Sequence, residues 1–361
     1  MKTALVYDRI NKWGGAERVL LALHEIFPEA PLYTAVYSPK KASWAKVFPK
    51  VIPTFLNKIP FMQDKHEFLG TFTPLAFETL NLGEYDLVIS VTSEAAKGVL
   101  TKPSTCHICY CLTPTRYLWS GYAIYFKNPL LRIVSKPAVS YLRYWDKIAA
   151  QRPDKIIAIS SAVKKRIRKY YHRDSQIIYP PAELGKFKPK KGERIKKENF
   201  FLIVSRLTSY KKVDLAIEAF NELKLPLVIV GTGSEESRLK FMAGETIKFV
   251  GELTDSRLAN YYKICSGLVF PQEEDFGIVA VEAQAAGTPV IAYRAGGVLD
   301  TVIDGKTGVF FKKQNKESLI KAIERFKKIN FNEETLRKNA ERFSKERFKE
   351  EFIKFKRNAE K

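Results

Sequence analysis

Short apolar runs alternate with amphipathic stretches of helical length along nearly the whole chain. Runs of strand length separated by helix-length polar-apolar stretches are the pattern of parallel βαβ units. In the first half this predicts strands at 3–7, 32–37, 87–91, 105–111 and 155–159, and helices at 16–26, 93–98, 130–150 and 162–171. Residues 38–80, rich in Pro and aromatics, break the rhythm and read as an insertion that shapes a surface. The pattern then resets. Tyr179-Pro180-Pro181-Ala182 cannot continue a helix, and a Lys-rich segment follows it like a linker. A second series predicts strands at 200–205, 227–231, 247–250, 267–270 and 289–292, with helices at 214–223, 235–242, 256–265 and 277–286. The tail from about 317 reads as helical throughout.

The expected fold is therefore α/β, with two doubly wound Rossmann-like domains joined by a Pro hinge. Their expected bounds are 1–182, 183–340 and a closing helix at 341–361 that packs back on the first domain. Ligands in doubly wound folds bind beyond the carboxyl ends of the strands, which makes the space between the two domains the expected site. The first strand meets Asp8 before a signal-peptide core can form, so a cytosolic location is expected. No stretch reaches the ~18 apolar residues of a spanning helix. Three of the four cysteines, Cys106, Cys109 and Cys111, fall in one apolar run and read as core strand rather than as disulfide or zinc ligands.

Charge changes the picture more than composition does. Lys and Arg number 61 against 39 Asp and Glu, a formal net charge of +22. Residues 161–200 hold 13 of the cations and 4 of the acids. So dense a block fits a solvated helix face and linker, or an anionic surface such as a bilayer. A nucleic-acid partner is the rival reading of the same excess, but no recognisable DNA- or RNA-binding module accompanies it.

Three loops carry candidate chemistry. Gly14 and Gly15 lie between the first strand and first helix, where backbone N–H groups can approach an anion. The pair matches neither a P-loop nor a dinucleotide fingerprint, and its plainer reading is a turn. Arg206 and Lys211 leave one loop at a strand end and could converge on phosphate oxygens, Arg as a fork and Lys as a point charge. Glu274 precedes, and Glu282 lies within, a predicted helix. Eight helical steps put them up to ~12 Å apart, beyond the ~5–9.5 Å of hydrolytic carboxylate pairs. They suit an extended ligand, with Glu274 able to accept from vicinal hydroxyls as in a sugar. Glu282, among Ala280, Val281 and Ala283, needs a buried partner.

Arg206 and Lys211, the Glu274-x7-Glu282 spacing, Phe276-Gly277, Ala286-Gly287-Thr288-Pro289-Val290 and Gly296-Gly297 together resemble the retaining glycosyltransferases of family 4, of GT-B fold. Gly14-Gly15-Ala16-Glu17 extends the likeness over nearly the whole chain. Cys109-Tyr110-Cys111-Leu112-Thr113-Pro114 resembles the subgroup that makes mannosyl linkages in O-antigen and related polysaccharides. The resemblance implies that Arg206 and Lys211 hold the diphosphate of a nucleotide-sugar, with Gly14 and Gly15 facing it. It implies that Glu274, with Phe276, Gly277 and Ile278, binds the donor sugar, that Glu282 binds the ribose, and that the base lies near Val250 and Leu253. No metal or other cofactor is implied. The implied partners are a nucleotide-sugar, foremost GDP-mannose, and a lipid-linked or glycan acceptor at an anionic membrane surface, with a UDP-sugar as the alternative donor. One departure stands out: Leu112 occupies the place of a His in the family pattern, which puts the donor sugar in doubt.

Overall fold

The computed structural model describes residues 1–59, 70–126, 128–189 and 195–359. The chain parts into two compact units, Met1–Pro180 with Phe348–Lys361, and Pro181–Arg347.

The first unit runs β1 (Thr3–Tyr7), α1 (Gly15–Ile26), β2 (Leu32–Thr34), β3 (Val51–Pro53), α2 (Thr73–Glu78), β4 (Leu87–Thr92), β5 (Cys106–Cys111), α3 (Tyr122–Tyr125), α4 (Pro129–Ala149), β6 (Lys155–Ala158), α5 (Ser161–Tyr171) and β7 (Gln176–Ile177). All seven strands are parallel, in the order β3-β2-β1-β4-β5-β6-β7. β1 and β4 are buried at every position, as strands covered by helices on both faces must be.

Three expectations are corrected here. The strand expected at 32–37 stops at Thr34, and only Tyr37 pairs again, with Ile10. The stretch at 38–80 is no simple insertion, because β3 within it forms the sheet edge; residues 60–69 of it lie outside the described residues. The helix expected at 93–98 shrinks to a single 3₁₀ turn, Ala96–Gly98. Asp8, a buried carboxylate at the end of β1, holds that turn. It accepts the N–H groups of Ser93 (2.7 Å), Glu94 (3.1 Å), Ala95 (3.0 Å) and Ala96 (2.9 Å) and the Thr92 hydroxyl (2.8 Å). These are N–H groups that the start of a helix leaves without backbone partners, so the carboxylate caps the turn, which ends where buried Val99 becomes extended.

The second unit runs β8 (Phe201–Val204), α6 (Val213–Leu223), β9 (Leu227–Val230), α7 (Glu236–Met242), β10 (Ile247–Gly251), α8 (Asp255–Ile264), β11 (Gly267–Phe270), α9 (Ile278–Ala285), β12 (Val290–Tyr293), α10 (Val298–Thr301), β13 (Gly308–Phe311), α11 (Lys316–Lys327) and α12 (Glu333–Glu341). Its six parallel strands lie in the order β10-β9-β8-β11-β12-β13. A core of Phe201, Ile203, Ile217, Phe220, Ile229 and Phe326, among others, fills one side of the sheet. α13 (Lys345–Ala359) begins in this unit and ends in the first.

The single helical tail resolves into three helices. Asn315 and Asn332 side chains cap α11 and α12 by accepting the N–H groups of Ser318 (3.0 Å) and Thr335 (2.8 Å). All four cysteines are free, with Cys109 and Cys111 buried in β5 as expected. Among the described residues no helix is long and apolar enough to cross a membrane.

Candidate active site

In each sheet the strand order reverses at one place: between β1 and β4 in the first, between β8 and β11 in the second. At such a switch point the loops leave the sheet in opposite directions and open a crevice beyond the carboxyl ends. The loops that leave β1, β8 and β11 there are the three that carry the candidate chemistry.

In the second unit, the loop after β8 brings Lys211 against Glu274 from the loop after β11, in an ion pair. Both are largely shielded, with side-chain exposures of 12% and 21%. Gln272, buried, donates its amide N–H to the same carboxylate at 3.1 Å. Arg206 is exposed and gives a hydrogen bond to the Tyr210 hydroxyl at 3.2 Å, while Lys211 Nζ stands 5.3 Å from the centre of the Tyr210 ring. One aromatic side chain thus links both cations.

Glycines set the loops. Gly231 and Gly233, after β9, pack so tightly that a Cβ would come within 2.0 Å of the Ser205 carbonyl oxygen and 2.3 Å of that of Leu207. Gly296, at φ +76°, and Gly297 press in the same way on the carbonyl oxygens of Glu274 and Asp275, and the Gly297 N–H donates to Glu274 O at 2.8 Å. The backbone around Glu274 is therefore clamped from the loop after β12. Gly277, at φ +85°, starts α9 ahead of Ile278, a left-handed turn that glycine adopts without strain. Phe276 is buried edge-on against Phe343.

Glu282 is 3% exposed in α9, and the partner it requires is Tyr262 of α8, whose hydroxyl donates to it at 3.1 Å. Val250 and Leu253 flank Gly251 at the carboxyl end of β10, both half-buried. These loops share one edge of a parallel sheet: a carboxylate, an ammonium and a guanidinium at the switch point, a second carboxylate one helix away. Such a set offers donors to phosphate oxygens and acceptors to hydroxyls.

In the first unit, Gly14 caps α1 in an extended conformation. Gly15 faces open space, with nothing within 4 Å of where a Cβ would stand. Glu17 lies beneath this loop, 2% exposed, and accepts the Tyr7 hydroxyl at 2.9 Å. Burial pushes its carboxyl above the usual range. Leu112 follows β5, half-buried, its N–H bound to Thr92 O at 2.8 Å.

Tyr210, Gln272, Tyr262 and the Gly231-Thr232-Gly233 turn escape the sequence reading. Of these only Tyr210 and Gln272 carry a signal there, by standing next to Lys211 and Glu274. Among the described residues no three His, Cys, Asp or Glu side chains cluster as a metal site would require.

Residues 186–345 match the family model of glycosyl transferases group 1. An uncharacterized glycosyltransferase of Methanocaldococcus jannaschii, MJ1178, is 32% identical over 186 residues, half of this chain and 52% of that protein. A D-inositol 3-phosphate glycosyltransferase of Catenulispora acidiphila is 29% identical over 213 residues, half of each chain. The chain thus matches these curated relatives over about half their length. Among solved structures, Anabaena Alr3699/HepE with UDP-glucose superposes with a TM-score of 0.72 at 18% identity, covering 99% of this chain and all of that one. Sucrose-phosphate synthase of Thermosynechococcus elongatus gives a TM-score of 0.74 at 18% identity over 99% of both. The chain therefore has the GT-B fold of two parallel-sheet, Rossmann-like domains, and its residues 186–345 resemble the glycosyl transferases of group 1.

Proposed function

We propose that the protein is a retaining, metal-independent glycosyltransferase that moves a hexose from a nucleotide-sugar, mannose from GDP-mannose, onto a lipid-linked or polysaccharide acceptor. The observation that carries the reading is the joined set at the second sheet's switch point: Lys211 paired with Glu274, and Arg206 tied to Lys211 through Tyr210.

In this reading the bond from the sugar's anomeric carbon to the diphosphate breaks as the acceptor hydroxyl bonds to the same face of that carbon. The hydroxyl's proton passes to the departing phosphate oxygen. Arg206 and Lys211 stabilise the charge that develops on the diphosphate, with the N-terminus of α9 adding its positive dipole end. Glu274, with the N–H groups of Phe276, Gly277 and Ile278, holds the sugar hydroxyls. Glu282 holds the ribose, and the base rests near Val250 and Leu253. The enzyme works at the cytoplasmic face of an anionic membrane, where a lipid-linked acceptor is presented.

A UDP-sugar is the second reading of the donor, because HepE, of the same fold, is described in complex with UDP-glucose. Leu112 bears on the choice, since it offers no hydrogen bond to the sugar.

The test combines donor binding with transfer. A panel of GDP-, UDP-, ADP- and dTDP-sugars should single out one nucleotide by thermal shift, since a ligand at ~100 times its Kd stabilises by ~2.7 kcal/mol. Arg206→Ala and Lys211→Ala should each cut transfer ~100-fold or more while the protein melts as wild type. Near-native transfer in either variant removes the proposed role, and stabilisation by UDP-sugars alone replaces GDP-mannose as donor.

A further inference from the structure

α4 of the first unit has one face in the core and another that none of the described residues covers. Val139 and Leu142 pack with Leu118, and Trp145 and Ala149 enter the main core of the unit. Asp146, 1% exposed, pairs with buried Lys97 at 2.6 Å and accepts the Trp119 indole N–H at 2.7 Å. These contacts fix the rotation of the helix.

On the other side Leu130, Ile133, Val134, Tyr141, Tyr144 and Ile148 are between 41% and 71% exposed. At ~100° per residue all six fall within roughly 100° of arc, in a stripe about 27 Å long. Scattered exposed apolar side chains need no explanation, but a continuous stripe does.

Charge says what covers it. Asp146 is the helix's sole acid and is buried, whereas Arg132, Lys136 and Lys147 are exposed along one flank of the stripe. That flank continues into α5: Lys147 lies 5.6 Å from the Trp119 ring, Trp119 stacks on Tyr170 at 5.0 Å, and Lys169 lies 5.4 Å from the Tyr170 ring. α5 adds Lys165 and Arg168, both exposed, to the same basic run. A second copy of the chain seated on the stripe would set this basic flank against its own like charge. A sheet of anionic head groups over an apolar layer complements both features at once, and Tyr141 and Tyr144 suit the boundary between them.

We propose that α4 is the membrane-docking element of the protein. It lies in the plane of an anionic bilayer with its apolar stripe in the acyl boundary and its basic flank on the phosphates. The basic block of residues 161–200, which fits an anionic surface, includes α5 and is here the electrostatic extension of the anchor, α4. The inference rests on the lipid-linked acceptor only for its purpose, because vesicle binding is read without donor or transfer.

The test is flotation of the full chain with vesicles of phosphatidylcholine alone and with vesicles of equal phosphatidylcholine and phosphatidylglycerol. The wild type should float with the anionic vesicles and not with the neutral ones. The double variant Ile133→Glu/Val134→Glu alters exposed positions and should fold as wild type by circular dichroism, yet bind at least ~10-fold less. Lys165→Glu/Lys169→Glu should remove the salt-sensitive part of binding. Flotation of the Ile133→Glu/Val134→Glu variant equal to wild type overturns the proposal, as does absence of wild-type flotation. A dimer that the same variant breaks, without flotation, assigns the stripe to a second copy and equally overturns it. Wild-type flotation without transfer of any sugar overturns the enzymatic reading and leaves the docking helix in place.

Discussion

His107 stands on β5 with no exposed surface, its Nε2 2.9 Å from the Ser90 hydroxyl, and burial pulls its imidazole down to about 4. The nearby Asp154 carboxylate opposes that shift without reversing it. In the unfolded chain the same ring titrates near ~6.5. As pH falls from 6.5 towards 4 the unfolded state takes up a proton that the native state refuses, so stability is lost across that window and not above it. The loss should approach about 3 kcal/mol. Urea midpoints measured between pH 7 and pH 4 should show this slope in the wild type and a flatter one in His107→Gln. Identical slopes would rule His107 out as the source. At the same scale, Lys211 and Glu274 are legible in the sequence because each lies in the loop that leaves a strand, and in a parallel sheet that loop fixes the edge it occupies. Tyr210 and Gln272 are not, because their bonds to Arg206 and Glu274 depend on how each loop folds on itself, which no apolar period shows. Glu282 is legible as a buried acid in need of a partner, but Tyr262 lies on a helix that no local pattern ties to α9.

The loop that carries Glu274 owes its shape to a neighbour. Gly296 adopts φ +76° with its missing Cβ only 2.2 Å from the Glu274 carbonyl oxygen. Gly296→Ala must strain the backbone, at about 1–3 kcal/mol, and push the Glu274 loop off its place. The variant should melt lower and lose transfer about as severely as Glu274→Ala. Gly185→Ala is the control, since a Cβ there meets nothing within 4 Å and should change neither quantity. Wild-type transfer in Gly296→Ala would deny that this contact positions Glu274. Element existence follows well from the alternation of apolar runs, since ten of the strands lie where such runs lie. β3, β7 and β13 do not stand out. β7 is two residues long, and β3 lies in a segment whose Pro and aromatic content masks its period. The helix expected at 93–98 is one turn, capped by Asp8 from a distant part of the chain and ended where Val99 turns extended.

At the scale of the whole molecule, the two series of strands in the sequence correspond to two separate sheets, each with its own core. The apolar spacing of Phe348, Phe352 and Phe355 shows that α13 buries a face, and the rings lie against the first unit, where the closing helix is expected to pack. Phe348 meets Tyr110 edge-on at 5.8 Å and Phe352 meets Phe27 at 6.3 Å, both in the first unit. Phe348 and Phe352 have no exposed surface, and removing either buried ring costs about 3–5 kcal/mol. A chain ended after Arg347 should therefore lose hydrogen-exchange protection in β1, β4 and β5 while β8, β9 and β11 keep theirs. Equal protection in both units would show that α13 contributes nothing to the first.

That division has a consequence for how the protein is made. Residues 181–347 lie between the two stretches of chain that compose the first unit. A ribosome adds about 5–20 residues per second, so roughly 10–30 s pass between the emergence of β7 and that of Phe348. Throughout that interval the surfaces around Tyr110 and Phe27 are without the rings that cover them, and by its end the second unit has its complete sheet and can fold first. The order of synthesis and the order of completion are thus reversed, and the newborn first unit is the natural client of a chaperone that shelters apolar surface until the last helix arrives.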